Sequence, residues 1–234
     1  MRLTFTIPIS LLTGGMAALL VIGAAVGASS GYKPMDMNPA CKYGRPAGAY
    51  ETKDLPAQFK EFVPFIKANE RLWQVACMTV PGRQGVQYLL ATKATMKVGS
   101  VSILIRDSNK SLRLEAVNHS VVQIEGVEGS GASGGFGYIR SSRPGFFTIQ
   151  NSFGDSVKRT DYEFNFEYSP VSNIWLLDSV VTQVFTRDID LKTEKETDDT
   201  RAEKQTAKDF GRVTFSEFAG TKYGIVDYSN SDDR

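Results

Sequence analysis

The chain has 234 residues, with 27 Lys and Arg against 26 Asp and Glu, a single His and a net charge of +1. That balance gives no electrostatic drive toward nucleic acid or an anionic membrane surface, and one histidine excludes a multi-histidine metal site within one chain. The length suits one domain with a substantial core.

After Arg2 no charge appears until Lys33, and Leu11 to Ala28 is dominated by Leu, Ala, Ile, Val and Gly. A basic start, an apolar run and the small residues Val26-Gly27-Ala28 predict a secretory signal peptide over residues 1–28, cut near Ala28. The stretch is also long enough to remain as an uncleaved anchor, despite Pro8 and the Gly14-Gly15 pair. Either way the rest of the chain is exported, to the periplasm or beyond, or stays tethered facing the periplasm. Ala40-Cys41 lacks the preceding residues of a lipoprotein cleavage site.

Residues 29–53, rich in Gly, Pro, Asn and Tyr without period, read as a linker or arm. Cys41 and Cys77 are the only cysteines, and an even count in an oxidising compartment favours a disulfide over two free thiols. Residues 54–234 read as a single β-rich domain. Asp54 as N-cap, Pro56 in the first turn and Phe59, Phe62, Val63 and Ile66 at helical spacing predict a short amphipathic α-helix, limited by Pro64. Leu72 to Val80 is apolar and fits helix or strand.

Beyond Gly85 the period becomes two. Strands are predicted at 87–92, 101–106, 112–117, 146–150, 162–168 and 175–185. The clearest is Tyr162 to Tyr168, where four aromatics alternate with three polar residues and so share one face. Asp107 to Lys110 and Ser169 to Asn173 carry hairpin-turn residues. Gly126 to Gly137 reads as a glycine-rich loop. Residues 187–208 alternate charges with almost no apolar side chain, and read as a solvated helix or a mobile excursion. The fold class is therefore mainly β: an antiparallel sheet, as a sandwich or partly open barrel, preceded by a short α-helix.

From Val101 onward an ordered set of residues carries a resemblance. It comprises Ile105-Arg106-Asp107, Leu112-Arg113-Leu114, Asn118, Gly134-Gly135-Phe136-Gly137, Phe147-Thr148-Ile149 and Gly154. It continues through Tyr162, Phe164, Phe166 and Tyr168, Trp175 with Leu177, and Lys208-Asp209-Phe210-Gly211 with Phe215 and Phe218. The set covers about half the chain and resembles a group of uncharacterised exported bacterial β-rich proteins with no agreed activity. The resemblance implies export and a β-rich fold. Similar proteins often carry an Asp/Asn-rich calcium-type turn before the first strand and paired cysteines before the Gly-Gly-Phe-Gly run. Here Val80 to Gln87 has no carboxylate and Glu125 to Ser133 has no cysteine, so calcium at that turn is not expected.

Catalytic constellations are weak. His119 reads as an ordinary surface or turn residue. Gly131-Ala132-Ser133-Gly134-Gly135 matches a Gly-x-Ser-x-Gly elbow in letters, but without the strand-to-helix turn and the later histidine which that motif needs. Glu163 and Glu167, with Glu115 near them, are candidate hydrolase carboxylates and otherwise solvated residues opposite the aromatic face. Trp175 reads as core. No catalytic residue, metal site or cofactor is expected. The expected function is non-catalytic binding in the bacterial cell envelope, with another protein as partner, as for an immunity or inhibitor protein. Contacts are expected from Phe136, Tyr138, Arg140 and Arg143 and from the charged segment. The alternatives are a carbohydrate or peptidoglycan module stacking glycan on Phe136, Tyr138 and Phe153, an accessory subunit of an envelope complex, and a carboxylate-dependent hydrolase.

Overall fold

Two prolines decide the form of the first helical segment. The computed structural model describes residues 51–94, 97–122, 133–155, 157–190 and 195–223, all within one compact unit, Asp36–Arg234. The expectations for the leader, the arm and Cys41 lie outside the described residues. Where an α-helix was expected, the chain forms 3-10 turns over Thr52–Asp54 and Ala57–Phe65. Pro64 has no N–H to give to an α-helical ladder, and bonds of the tighter turn, Phe59 N–H to Pro56 and Ile66 N–H to Val63, close the segment instead. The spacing still serves its purpose, because Phe59 and Phe62 are both buried.

Four strands follow: β1 (Glu70–Met78), β2 (Gln87–Ala94), β3 (Lys97–Arg106) and β4 (Leu112–Val122). They pair antiparallel in chain order. Five more, β5 (Ser133–Arg143), β6 (Phe146–Gly154), β7 (Lys158–Ser169), β8 (Ile174–Asp190) and β9 (Lys195–Thr206), form a second antiparallel meander. The fold is mainly β, as two open sheets that share a core. The barrel alternative does not occur, since the sheets do not close on each other.

Both expected hairpin turns form. Lys110 at φ 68° and Asn173 at φ 56° supply the left-handed residue of each. In the first, the Asn109 side-chain oxygen accepts from the Ser111 N–H at 3.0 Å. One open alternative resolves and two elements depart from expectation. The ambiguous segment becomes β1, where a bulge between Leu72 and Gln74 and burial on both faces erase the period-two signal. The glycine-rich run is strand from Ser133 onward. Most of the charged segment is strand rather than helix, the end of β8 and then β9, an outermost strand whose charged side chains need no apolar partner; its last two residues open α1, and residues 191–194 lie outside the described residues. The one α-helix among the described residues, α1 (Ala207–Phe210), comes after the strands, with Asp209 accepting from the Thr206 N–H at 2.7 Å.

The principal core lies between the sheets. Leu89, Ala91, Val101 and Ile103 of the first sheet meet Phe147, Ile149, Phe164, Phe166, Trp175 and Leu177 of the second. The chain after α1 returns to this core and inserts Phe215 and Phe218. Phe215 sits edge-on to Phe166, with ring centroids 5.1 Å apart, and Phe218 lies 4.8 Å from Phe164. A second cluster on the other face of the first sheet packs Leu72, Val75, Tyr88, Leu90 and Leu104 against Leu55, Phe59 and Phe62. That sheet is therefore covered on both sides.

Buried amides tie these layers together. Gln74 on β1 donates to the Ile139 carbonyl and accepts from the Ile139 N–H, each at 2.8 Å. Asn151 on β6 donates to the Val121 carbonyl at 2.9 Å. Asn118 on β4 donates to the carbonyls of both Phe215 and Phe218 at 2.6 Å. Removing a buried donor leaves its acceptors unsatisfied at about 1–3 kcal/mol each. The Phe218 carbonyl keeps the Ser120 hydroxyl at 2.9 Å, so Asn118→Ala strands the Phe215 carbonyl and should lose about 1–3 kcal/mol in urea denaturation, whereas the half-exposed Glu167→Gln should stay within about 0.5 kcal/mol. Equal, small losses for both would show that the C-terminal return is held by packing alone.

Candidate functional site

Alternation along the second sheet sends one set of side chains inward and presents the other as a broad plate. Phe164, Phe166 and Tyr168 of β7 enter the core; Glu163, Asn165 and Glu167 therefore point outward. Register then assembles rows across the strands. Tyr138, Gln150, Glu163, Val181 and Lys204 lie opposite one another in turn, and so do Arg140, Thr148, Asn165, Ser179 and Thr206. A third row runs through Arg143, Phe146, Glu167 and Leu176.

A bulge between Phe136 and Tyr138 determines which aromatics reach this plate. Phe136 is 5% exposed and belongs to the core. Tyr138, Arg140 and Arg143 remain on the outer face. The structure thus groups three of the four expected contact residues and separates Phe136 from them. Phe153, two and four residues beyond the core residues Asn151 and Ile149 on β6, falls on the face opposite Tyr138, so the three rings proposed for glycan stacking form no common platform.

The plate is ordered by charge and aromatic contact. Arg143 bonds Glu167 at 2.7 Å, and its guanidinium lies 4.4 Å from the Phe146 ring centroid. Arg140 lies 3.5 Å from Glu163 and 4.9 Å from the Tyr138 ring, while the Tyr138 hydroxyl donates to Glu163 at 3.2 Å. Beneath them a buried polar line runs from Thr148 to Asn165 at 2.7 Å and from Asn165 to Ser179 at 3.3 Å. Glu163 and Glu167 are separated by four residues of strand, about 13 Å of rise, against roughly 5–9.5 Å between the carboxyls of a glycosidase pair. Each is engaged by its own arginine. Glu115 is not with them: it lies on β4 of the first sheet, bound to Arg83.

That Arg83 contact belongs to a cluster the sequence did not disclose. The turn between β1 and β2, lacking carboxylates, supplies a cation instead. Arg83 donates to Glu115, to the Tyr168 hydroxyl at 3.0 Å and to the Asn173 side chain, so one side chain joins the first sheet to the β7–β8 hairpin. Arg106 does similar work locally, bonding Glu61 at 2.7 Å and the Tyr88 hydroxyl. Only register brings such residues together, since they lie tens of positions apart.

His119 has unexpected company. Its Nδ1 is 2.8 Å from the Ser100 hydroxyl and 3.3 Å from the Lys67 ammonium, and Ser100 donates onward to the buried Glu70 at 3.1 Å. Thr92 donates to the other Glu70 oxygen at 2.7 Å. This is not a nucleophilic triad. The carboxylate engages the serine rather than the histidine, and Ser100 is buried within β3. Of the glycine-serine elbow, Gly131 and Ala132 lie outside the described residues, and Ser133 begins a strand, not a strand-to-helix turn. Among the described residues no three His, Cys, Asp or Glu gather to hold a metal, and no helix is long and apolar enough to cross a membrane. No family model, curated protein or solved structure matches this chain.

Burial pushes the His119 imidazole below its ordinary value, Lys67 pushes the same way, and Glu70 partly opposes them. The unfolded chain then takes up the proton more readily than the folded one. Stability from this site is complete above the ordinary imidazole value of about 6.5 and declines as pH falls below it. Wild-type protein should therefore lose more stability than His119→Gln between about pH 7 and pH 5. Identical pH dependence of the two urea midpoints would remove His119 from the account.

Proposed function

We propose that the protein is an exported, non-catalytic binding protein of the bacterial cell envelope, and that its partner is another protein. The observation that carries this reading is the outer plate of the second sheet, where Tyr138, Arg140, Arg143 and Phe146 stand together on a rigid five-stranded support. Tyr, Phe and Arg are the residue types enriched at protein interfaces, and arginines stacked on rings lose little rotamer freedom on binding. Glu163 and Glu167 hold the two guanidiniums in place, and their exposed N–H groups, which exclude the buried Arg140 Nε, can meet a partner's carboxylates or carbonyls. An immunity or inhibitor role suits such a surface. The separation of Phe136 and Phe153 from Tyr138 disfavours the glycan-stacking reading.

Export rests on the leader, a basic start at Arg2 followed by an uncharged apolar run, and on the resemblance from Val101 onward. In that setting Cys41 pairs with Cys77, a half-buried residue of β1 packed against the second cluster. The bridge would close a loop worth roughly 4 kcal/mol of chain entropy. Intact mass spectrometry of the exported chain should show alkylation of both cysteines only after reduction. Alkylation without reduction would refute the bridge.

Binding is tested by recovery from envelope extract with wild-type protein and with Arg140→Glu/Arg143→Glu. A partner held by this plate should be recovered by the wild type and lost at least about tenfold from the variant, a change of about 1.4 kcal/mol. Equal recovery by both would take the plate out of the proposal. Sedimentation of wild-type protein with purified sacculi, lost in Tyr138→Ala, would favour a glycan instead.

A further inference from the structure

β9 is the outermost strand of the five-stranded sheet, paired to β8 from Ser179↔Thr206 to Asp190↔Lys195 without a bulge. Thr197 to Lys204 are exposed. The backbone groups on the far side of such a strand form a straight, regular edge, and charged side chains on it can serve merely to repel other edges. The order of the charges in β9 says more. We propose that β9 pairs with the β9 of a second copy of this chain, antiparallel and with Thr200 opposite Thr200, joining two five-stranded sheets into one of ten strands.

The geometry leaves few registers. Two identical edges pair antiparallel about a two-fold axis perpendicular to the sheet. Opposed residues must then share a face and a hydrogen-bonding role, so one residue always faces its own copy. Centres at Asp198, Asp199, Arg201 or Glu203 set a charge against itself. A centre at Thr197 sets Asp198 against residue 196, a glutamate. A centre at Ala202 opposes Arg201 to Glu203, but pairing then ends at Asp198 opposite Thr206, because Ala207 opens α1. The centre at Thr200 sets no like charges directly opposite each other and engages all of β9 except its last residue. It places Asp199 against Arg201 twice, Asp198 against Ala202, and Thr197 against Glu203.

Within one chain Asp199 and Arg201 already share a face, 3.1 Å apart, with both side chains mostly exposed. Bringing two copies together about Thr200 closes them into a ring of four alternating charges. Each aspartate then meets one arginine along its own strand and another across the new pair. Opposite charges directly across a ladder stabilise it, and like charges there destabilise it.

Sedimentation equilibrium of the chain as exported tests this, with Asp199→Arg and Arg201→Asp as variants. Wild-type protein should be dimeric. Each variant alone should associate at least about tenfold more weakly, because every central contact becomes like-charged. The two variants mixed in equal amounts should recover dimers, since a chain with arginine at both positions would face a chain with aspartate at both. A monomeric wild type, single variants as dimeric as the wild type, or a mixture that stays monomeric would each overturn the proposal. Both positions are solvent-exposed, and unchanged urea midpoints will confirm that the variants fold.

Discussion

Burial of aromatic rings between two sheets is the interaction on which the rest of this structure depends. Phe147, Phe164, Phe166, Phe215 and Phe218 are all within 2% of complete burial. Each such side chain contributes about 1.5–3 kcal/mol relative to exposure. Two of the five, Phe215 and Phe218, follow the nine strands of the described residues. Neither sheet fills the gap between them alone, and the inner face of the second sheet is closed only when the C-terminal return brings its phenylalanines home.

Hydrophobic burial is non-directional and does not by itself fix how two sheets lie against each other. The buried amides supply that direction. Gln74 clasps Ile139, Asn151 reaches Val121, and Asn118 holds the carbonyls of Phe215 and Phe218. Each would be costly to leave unpaired, so each penalises any other sheet orientation. Gly145 adds a backbone link. At φ 69° it donates to Thr79 and accepts from Tyr168, with Pro81 packed where a Cβ would stand. With its inner face occupied, the second sheet is left with an ordered outer plate and one charged edge, the two surfaces to which recognition and self-association are assigned.

Legibility in the sequence followed solvent exposure. Tyr162 to Tyr168 alternates aromatic residues of the core face with polar residues of the outer face, and that alternation predicts the strand and its aromatic core side. β1 has no wet face and carries a bulge, so its residues fitted helix and strand alike. β9 has no dry face, and without an apolar stripe its charges suggested a solvated helix. The plate was partly legible: of the four expected contact residues Tyr138, Arg140 and Arg143 share the outer face, whereas a bulge not encoded in any short motif turns Phe136 into the core. The Arg83 and His119 clusters were hidden because their members meet only through sheet register. The turn between β1 and β2 has no carboxylate, and its structural residue is Arg83, whose partners Glu115, Tyr168 and Asn173 lie far away in sequence.

The central claim, that one aromatic core makes the two sheets a single cooperative body, is tested most directly by the chain's two tryptophans. Trp73 lies on β1 of the first sheet and Trp175 on β8 of the second. Urea unfolding followed through each in turn, with the other replaced by Phe, should be compared with and without Phe218→Ala. Both reporters should shift together to lower urea, by the same free energy of about 3–5 kcal/mol. A shift seen by Trp175 while the Trp73 transition stays in place would show that the sheets unfold independently, and would contradict it.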